Sequence, residues 1–468
     1  MSDWVSHELA TVQLGDARRH SRLKRMVSTM VDNPGGSIPG TFHTHAETAA
    51  AYRFLHSPAV DPAEIMAAVG RAVADRCAEQ ELVLALQDTT SFSFANHPAT
   101  TGLGPLNGHV QGFLMHSVLA VTPAGVPLGL IDQAVWARDS QGPRTRDLWS
   151  QRPFAEKESQ RWVTSLRAVH ERLGPRTRVL SIADRESDIY EVFAEPRPDG
   201  CELLIRNSNN RRLQGGTASH LWEQLAAEPV AGELTLQLPR RAQEKPRTTK
   251  LAVRFCQVVL HPPHRRVGGE KLAPVPLTAV EARELEPPAG KAPIVWVLLT
   301  TLPVADFAAA VQCATYYSRR WLIERYHFTL KTGGCRIEDS QLRDFEALTR
   351  LLALDCLVSW RLLWLTYLSR VNGEQPCTVA FTELEWRVLH LAVRELDPLF
   401  LRHNNYDQSA GQPPPLHTAV RWLGKLGGFL GRKGDGEPGI KVLWAGLERL
   451  HNIVLGVMIA KNIDVCNG

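Results

Sequence analysis

The chain has 468 residues, of which 44% are hydrophobic and 22% charged, an ordinary globular composition that excludes both wholesale disorder and a small disulfide scaffold. Lys and Arg together number 53 against 49 Asp and Glu, a formal net charge of +4. Neither a polyanionic nor a small partner is excluded by that balance, so local clusters decide.

Three basic clusters stand out: Arg18, Arg19, Arg22, Lys24 and Arg25; Arg206, Arg211 and Arg212; and Arg240, Arg241, Lys245, Arg247 and Lys250. The 8 cysteines are scattered with no Cys-x-x-Cys pair, which points to a reducing, cytosolic setting. His261 and His264 have no cysteine nearby, so no structural zinc site is expected. Met1-Ser2-Asp3-Trp4 does not open a signal peptide. The apolar window from Leu348 to Val371 contains Arg350, Asp355, Arg361 and Arg370, so it reads as a packing helix rather than a membrane span.

In chain order, residues 1–70 read as short helices: one from Leu14 onward with Leu23 and Met26 as apolar anchors, and a second from Ala46 to Leu55, with Pro58 and Pro62 closing the region. A helical unit with a basic face suits DNA docking, and a merely solvated amphipathic helix has the same pattern. Strands follow at Leu82–Gln87 running into Asp88, at Val110–Val121 and at Val126–Ala137, joined by short turns that imply an antiparallel meander. Glu158–Leu173 is an amphipathic helix, and Arg178–Ala183 is a buried strand ending at Asp184. Three antiparallel strands, a crossover helix and a parallel strand make the core of a ribonuclease-H-like α/β domain. Cys201–Arg206 adds a strand, residues 232–293 read as a β-rich insertion, and Ile294–Leu299 returns to the sheet. The expected organisation is therefore a helical unit at 1–70, a catalytic domain at 71–372 carrying the insertion, and a helical C-terminal unit at 373–468. The last helix, Lys441–Ile459, steps Leu443, Leu447, Leu450, Val454, Val457 and Met458 along one stripe, suited to core packing or to a dimer contact.

The stretch Thr315–Lys331 lacks proline and glycine and reads as one continuous helix. At about 100° per residue, Tyr317, Arg320, Glu324 and Lys331 share one side of that rod. A core stripe would be aliphatic; this one carries a phenol, two cations and a carboxylate. Asp88, Asp184 and Glu324 come from separate elements and could converge. Carboxylates held together repel unless cations lie between them, and hard oxygen ligands suit magnesium or manganese. A single strand-end aspartate is equally a turn acceptor, so the combination carries the reading.

These residues give a resemblance. Gln87-Asp88-Thr89-Thr90-Ser91, Asp184-Arg185-Glu186-Ser187-Asp188 and the Tyr317/Arg320/Glu324/Lys331 set match the cut-and-paste bacterial DDE transposases of the insertion-sequence-four family. Gly15–Arg19, Ala51–Leu55, His116–Leu119, Leu426–Phe429 and Trp444 extend the similarity over nearly the whole chain. The resemblance implies that Asp88, Asp184 and Glu324 hold two Mg²⁺ or Mn²⁺ ions and that Tyr317, Arg320 and Lys331 grip phosphates. It also implies that Trp296 stacks on a flipped base, with Arg206 beside it, during a hairpin step. Trp296 by its own pattern would be a buried strand residue. Arg18, Arg19, Arg22, Lys24, Arg25 and Arg53 are the expected end-DNA contacts, and the partners are transposon-end DNA, target DNA and a second copy of the chain. The sequence departs from the family at Arg325, where a second acid is usual, at Phe328, where a lysine is usual, and around Pro413. Two other readings remain, a non-catalytic end-binding repressor and a ribonuclease-H-like nuclease without strand transfer.

Overall fold

A computed structural model describes residues 4–34, 37–42, 44–106, 110–139, 152–175, 177–238, 247–263, 271–397, 411–432 and 434–466. Arg240, Arg241 and Lys245 of the third basic cluster lie outside the described residues.

The N-terminal helices are α1 (Trp4–Glu8), α2 (Ala17–Asp32), α3 (Ile38–Thr41), α4 (His45–Leu55) and α5 (Pro62–Ala78). Asp16 caps α2 by accepting from the Arg18 amide, and Leu23 and Met26 turn into the core as expected. Pro62 opens a helix instead of closing the region: Asp61 caps α5, and proline in the first turn loses no hydrogen bond. The expected boundary at residue 70 thus falls inside one continuous helix.

The central sheet has 10 strands. They are β1 (Val83–Ser93), β2 (Gly104–Pro105), β3 (Gln111–Val121), β4 (Pro127–Trp136), β5 (Val179–Ala183), β6 (Cys201–Arg206), β7 (Gly232–Leu238), β8 (Arg247–Leu260), β9 (Val275–Glu284) and β10 (Val295–Thr300). Their order is β2-β3-β1-β5-β6-β10-β9-β8-β7, with β4 paired to β3. The β1, β3 and β4 meander is antiparallel, and β5 lies parallel to β1 after the crossover helix α6 (Gln160–Leu173). The mixed α/β architecture is that of a ribonuclease-H-like core. The β-rich insertion is no separate body: β7, β8 and β9 continue the same sheet beyond β10. Helices α7 (Tyr190–Ala194) and α8 (Leu221–Ala227) join α6 over Ile205, Leu277 and Leu299.

After β10 come α9 (Phe307–Ser318), α10 (Trp321–Phe328), α11 (Phe345–Val371), α12 (Glu383–Leu396), α13 (Leu416–Leu426) and α14 (Ile440–Cys466). The rod α11 is buried along nearly its whole length, as its apolar pattern requires. Arg350 within it donates to the Val60 and Leu55 carbonyls, tying the N-terminal helices to the core. Burial pushes Asp355 up to about 8, so it sits in this rod uncharged at neutral pH. Trp444 of α14 donates to the Pro34 carbonyl, linking the two ends of the chain. Along α14, Leu443 and Leu450 are buried, while Leu455, Met458 and Ile459 are exposed at 41%, 51% and 52%. Of the described helices, α11 and the 440–461 part of α14 are long and apolar enough to cross a membrane; α11 is instead the core rod.

Candidate active site

Asp88 lies within β1 and Asp184 directly follows β5. These strands are parallel neighbours with Leu86 opposite Ile182, so each aspartate stands two residues past a matched pair. Side chains alternate along a strand, which brings the two carboxylates to one level on one face. Asp184 feels the charge of Asp88. Burial raises the Asp184 carboxyl, the Glu186 amide at 2.9 Å lowers it, and the negative Asp88 raises it again, leaving it above the usual carboxylate range. Burial raises Asp88 too, but contact with His327 and the charges of His327 and Arg320 outweigh it and hold it below that range. His327 Nδ1 lies 3.6 Å and Arg320 Nη1 3.9 Å from Asp88 Oδ2.

The stretch expected as one helix is three pieces. α9 stops at Ser318, α10 restarts at Trp321, and a π-helical turn covers Thr329–Gly333. At the break, the amides of Arg319, Arg320, Leu322 and Ile323 all bond three residues back instead of four. Arg319 is drawn sideways to donate to the Pro123 carbonyl in the β3–β4 turn. That turn needs Gly125, whose φ is +103°. Despite the break, Tyr317, Arg320 and Glu324 stay together, because tightening a single turn barely changes the face presented. Arg320 pairs with Glu324, and the Tyr317 ring meets Trp296 edge-on at 5.6 Å. Lys331 falls on the π turn, its ammonium 5.4 Å from the centre of the Phe92 ring. Burial lowers its pKa while Glu338 and Asp88 raise it, so it too belongs to this neighbourhood. π-Turns inside helices recur at functional sites.

Trp296 is half-buried on β10, more open than its apolar surroundings suggest. Arg206, opposite Leu298 in the register, donates to the Val295 carbonyl on the same side of the sheet. The Tyr317 hydroxyl is buried with no well-aligned hydrogen-bond partner, although Arg206 stands close enough to influence it. Burial raises this phenol above its usual range.

Sequence reading missed the layer behind the aspartates. Thr89 receives Arg161 Nε at 2.9 Å and shares a 2.9 Å contact with His116 Nδ1; Arg161 also reaches Glu186 at 3.0 Å. Burial and the Arg161 charge push His116 down to about 3, so it is neutral. His327 bridges onward, its Nε2 lying 3.4 Å from Ser117 Oγ. The signal was present in Thr89 and His116, which face each other across β1 and β3, but only the register shows it. Trp321, 47% exposed beside Arg320, is a further aromatic that the sequence did not single out. Asp188 serves differently from Asp184. It is fully buried, paired with Arg211, and accepts from Asn207, Ser208 and Asn209, fixing the loop after β6.

Three family descriptions match this chain: transposase DNA-binding over residues 1–60, transposase DDE domain over 142–360, and transposase Tn5 dimerisation domain over 357–465. The chain belongs to the DDE transposases. It is a Tn5-like member, and the insertion-sequence-four family fits the DDE match. The transposase carries Asp184 and Glu324 inside the matched DDE segment; Asp88 lies before it and is brought in by the β1–β5 register. As a transposase with DNA-binding and dimerisation domains it binds DNA and forms a homodimer.

Members of this family use divalent metal ions, and the donor set can be tested for fit. Among the described residues no three His, Cys, Asp or Glu side chains already converge as a metal cage. The Arg320 guanidinium pairs with Glu324 and also lies 3.9 Å from Asp88. Of the three expected carboxylates, Asp88 and Asp184 stand level on parallel strands, and Glu324 is linked to Asp88 through Arg320. Hard oxygen donors, with Asp184 raised by burial and further by its like-charged neighbour, fit a divalent cation in place of that guanidinium.

At the N-terminus, Arg18 and Arg53 are exposed, and neither they nor Arg22 and Lys24 form ion pairs among the described residues. Arg25 is paired with Glu47, and Arg19 donates to the Leu14 carbonyl. Two of the family departures pack together: the Arg325 guanidinium lies 4.5 Å and the Lys441 ammonium 5.5 Å from the Phe328 ring centre, joining α10 to α14.

Proposed function

We propose that the chain is a cut-and-paste transposase that cleaves transposon ends through a hairpin and joins the 3′-hydroxyls to target DNA. The observation that carries this reading is the level placement of Asp88 and Asp184 on parallel strands, with Arg320 linking Asp88 to Glu324. Asp88, Asp184 and Glu324 would hold two divalent cations, Mg²⁺ or Mn²⁺. When bound, such ions activate a water or sugar hydroxyl and stabilise the leaving oxygen. Arg320 exchanges its carboxylate partners for the scissile phosphate, which a planar two-pronged donor suits. Lys331 supplies a point charge, and the unpartnered Tyr317 hydroxyl donates to a phosphate oxygen. Trp296, half-open beside Tyr317 and Arg206, stacks on a base flipped out when the hairpin closes. Arg18, Arg19, Arg22, Lys24, Arg25 and Arg53 dock the end duplex. The N-terminal helical unit, the sheet-centred unit and the helical unit after residue 372 divide as end binding, catalysis and synapsis, the exposed stripe on α14 meeting a second copy. The setting is the cytoplasmic nucleoid of a bacterium.

The test is purified protein with a duplex bearing the element's terminal repeats, with and without Mg²⁺, resolved on denaturing gels. Metal-dependent nicking, hairpins and strand-transfer products are expected. Binding without turnover would show an end-binding repressor, and nicks without hairpins or joined products would show a plain nuclease.

A further inference from the structure

A second aromatic pocket opens on the other face of β10. Val295 and Val297 line it, whereas Trp296 between them turns to the face where it meets Tyr317. Its volume is about 570 Å³, enough for one nucleotide. Trp222 of α8 forms one wall and is 47% exposed, unusual for so large a ring. The ring is not loose. Its Nε1 donates to Asn207 Oδ1 at 3.0 Å, and Asn207 in turn donates to the fully buried Asp188 at 3.0 Å. The platform is thus fixed by the same motif that supplies Asp184. Arg185, the residue after Asp184, lines the pocket, is exposed, and has no ion pair among the described residues. Arg254 and Arg283 also line it and share a single acid, Glu281, at 3.0 and 2.9 Å. Three arginines against one carboxylate leave a positive pocket around a rigid indole.

We propose that this pocket binds an unpaired nucleotide of the DNA strand leaving the catalytic carboxylates, its base stacked on Trp222 and its phosphate held by Arg185. The assignment rests on the transposase reading for the identity of that strand. A positive groove with an aromatic platform is the general chemistry of single-strand binding, and every base offers a face to stack. The pocket is distinct from the Trp296 side, since the sheet itself separates them. One face of β10 takes the base extruded at the cut, and the other receives the strand that passes beyond it.

The experiment measures binding of a short fluorescein-labelled oligothymidylate to the full chain and to Trp222→Ala and Trp222→Phe, by anisotropy at fixed salt. Alanine weakens binding about 10-fold and phenylalanine, which keeps a ring but loses the bond to Asn207, stays within about threefold. An abasic oligomer of the same length shows no difference between wild type and Trp222→Ala. Affinity for end duplex is unchanged in both variants. A 5-iodouracil oligonucleotide cross-links to Trp222 on irradiation. The assignment is overturned if Trp222→Ala binds the oligomer like wild type, if both variants lose affinity equally, or if the cross-link maps to Trp296 alone. Wild-type end cleavage with no Trp222 dependence removes the pocket and leaves the transposase reading standing. Trp222-dependent binding without any end cleavage does the reverse.

Discussion

Alanine at Asp88 or at Glu324 is expected to lower Mg²⁺-dependent cleavage of end DNA on the order of 1000-fold or more, with end binding retained. The size follows from what each carboxylate does. Asp88 is one of two acids at the same level on parallel strands, and without it only Asp184 and Glu324 remain to hold the ions. Glu324 is the third donor, and its removal releases Arg320 wholly onto Asp88, from which its Nη1 already lies 3.9 Å away. An arginine locked on that aspartate blocks the cation it should give way to. Neither substitution strands the part-buried guanidinium, because Arg320 keeps Glu324 when Asp88 is lost and Asp88 when Glu324 is lost. Gel-shift affinity and the melting temperature should therefore stay near wild type while product formation disappears. Unchanged cleavage in both variants would reject the catalytic assignment.

The second large effect concerns stability. Asp188 lies four residues after Asp184 in the same motif, yet its side chain is completely buried against Arg211. Asp188→Ala takes the carboxylate from that guanidinium, which keeps only the Asp188 backbone carbonyl, leaves the amides of Ser208 and Asn209 without their acceptor, and reduces the Asn207 amide to the Asn209 carbonyl. Removing one partner of a buried ion pair costs about 3–5 kcal/mol, and a loss of that size lowers the melting temperature by about 10 °C in a domain of this kind. Asp184→Ala, by contrast, should melt like wild type and fail to cut. Thermal melts of the two variants side by side separate the structural aspartate from the catalytic one, and the reverse pattern would exchange their roles.

The sheet was legible because strand patterning is local: Leu82–Gln87 and Arg178–Ala183 are short apolar runs that each end in an aspartate. Their level placement was not, since it depends on the pairing of Leu86 with Ile182, which no single run encodes. The helix near Glu324 was misread as one rod because its break contains neither proline nor glycine. At the break Arg319 reaches Pro123, some two hundred residues earlier in the chain, and such a distant contact leaves no mark in local propensity. Pro62 was misread as a terminator for the opposite reason: proline both ends helices and begins them, and only Asp61 as a cap resolves which. The insertion was visible as β-rich text, but its joining to the central sheet depends on the β9–β10 register. Asp188 and Asp184 look alike in sequence, and burial alone divides them.

The claim at the centre is that Asp88, Asp184 and Glu324 together hold the metal ions at the scissile phosphate. Anomalous scattering from Mn²⁺ in crystals of the protein bound to end DNA measures this most directly. The account predicts two peaks among these three carboxylates, with Glu324 released from Arg320 and the guanidinium moved to the phosphate. Peaks elsewhere, or Glu324 still paired with Arg320 in a cleavage-competent complex, would contradict it.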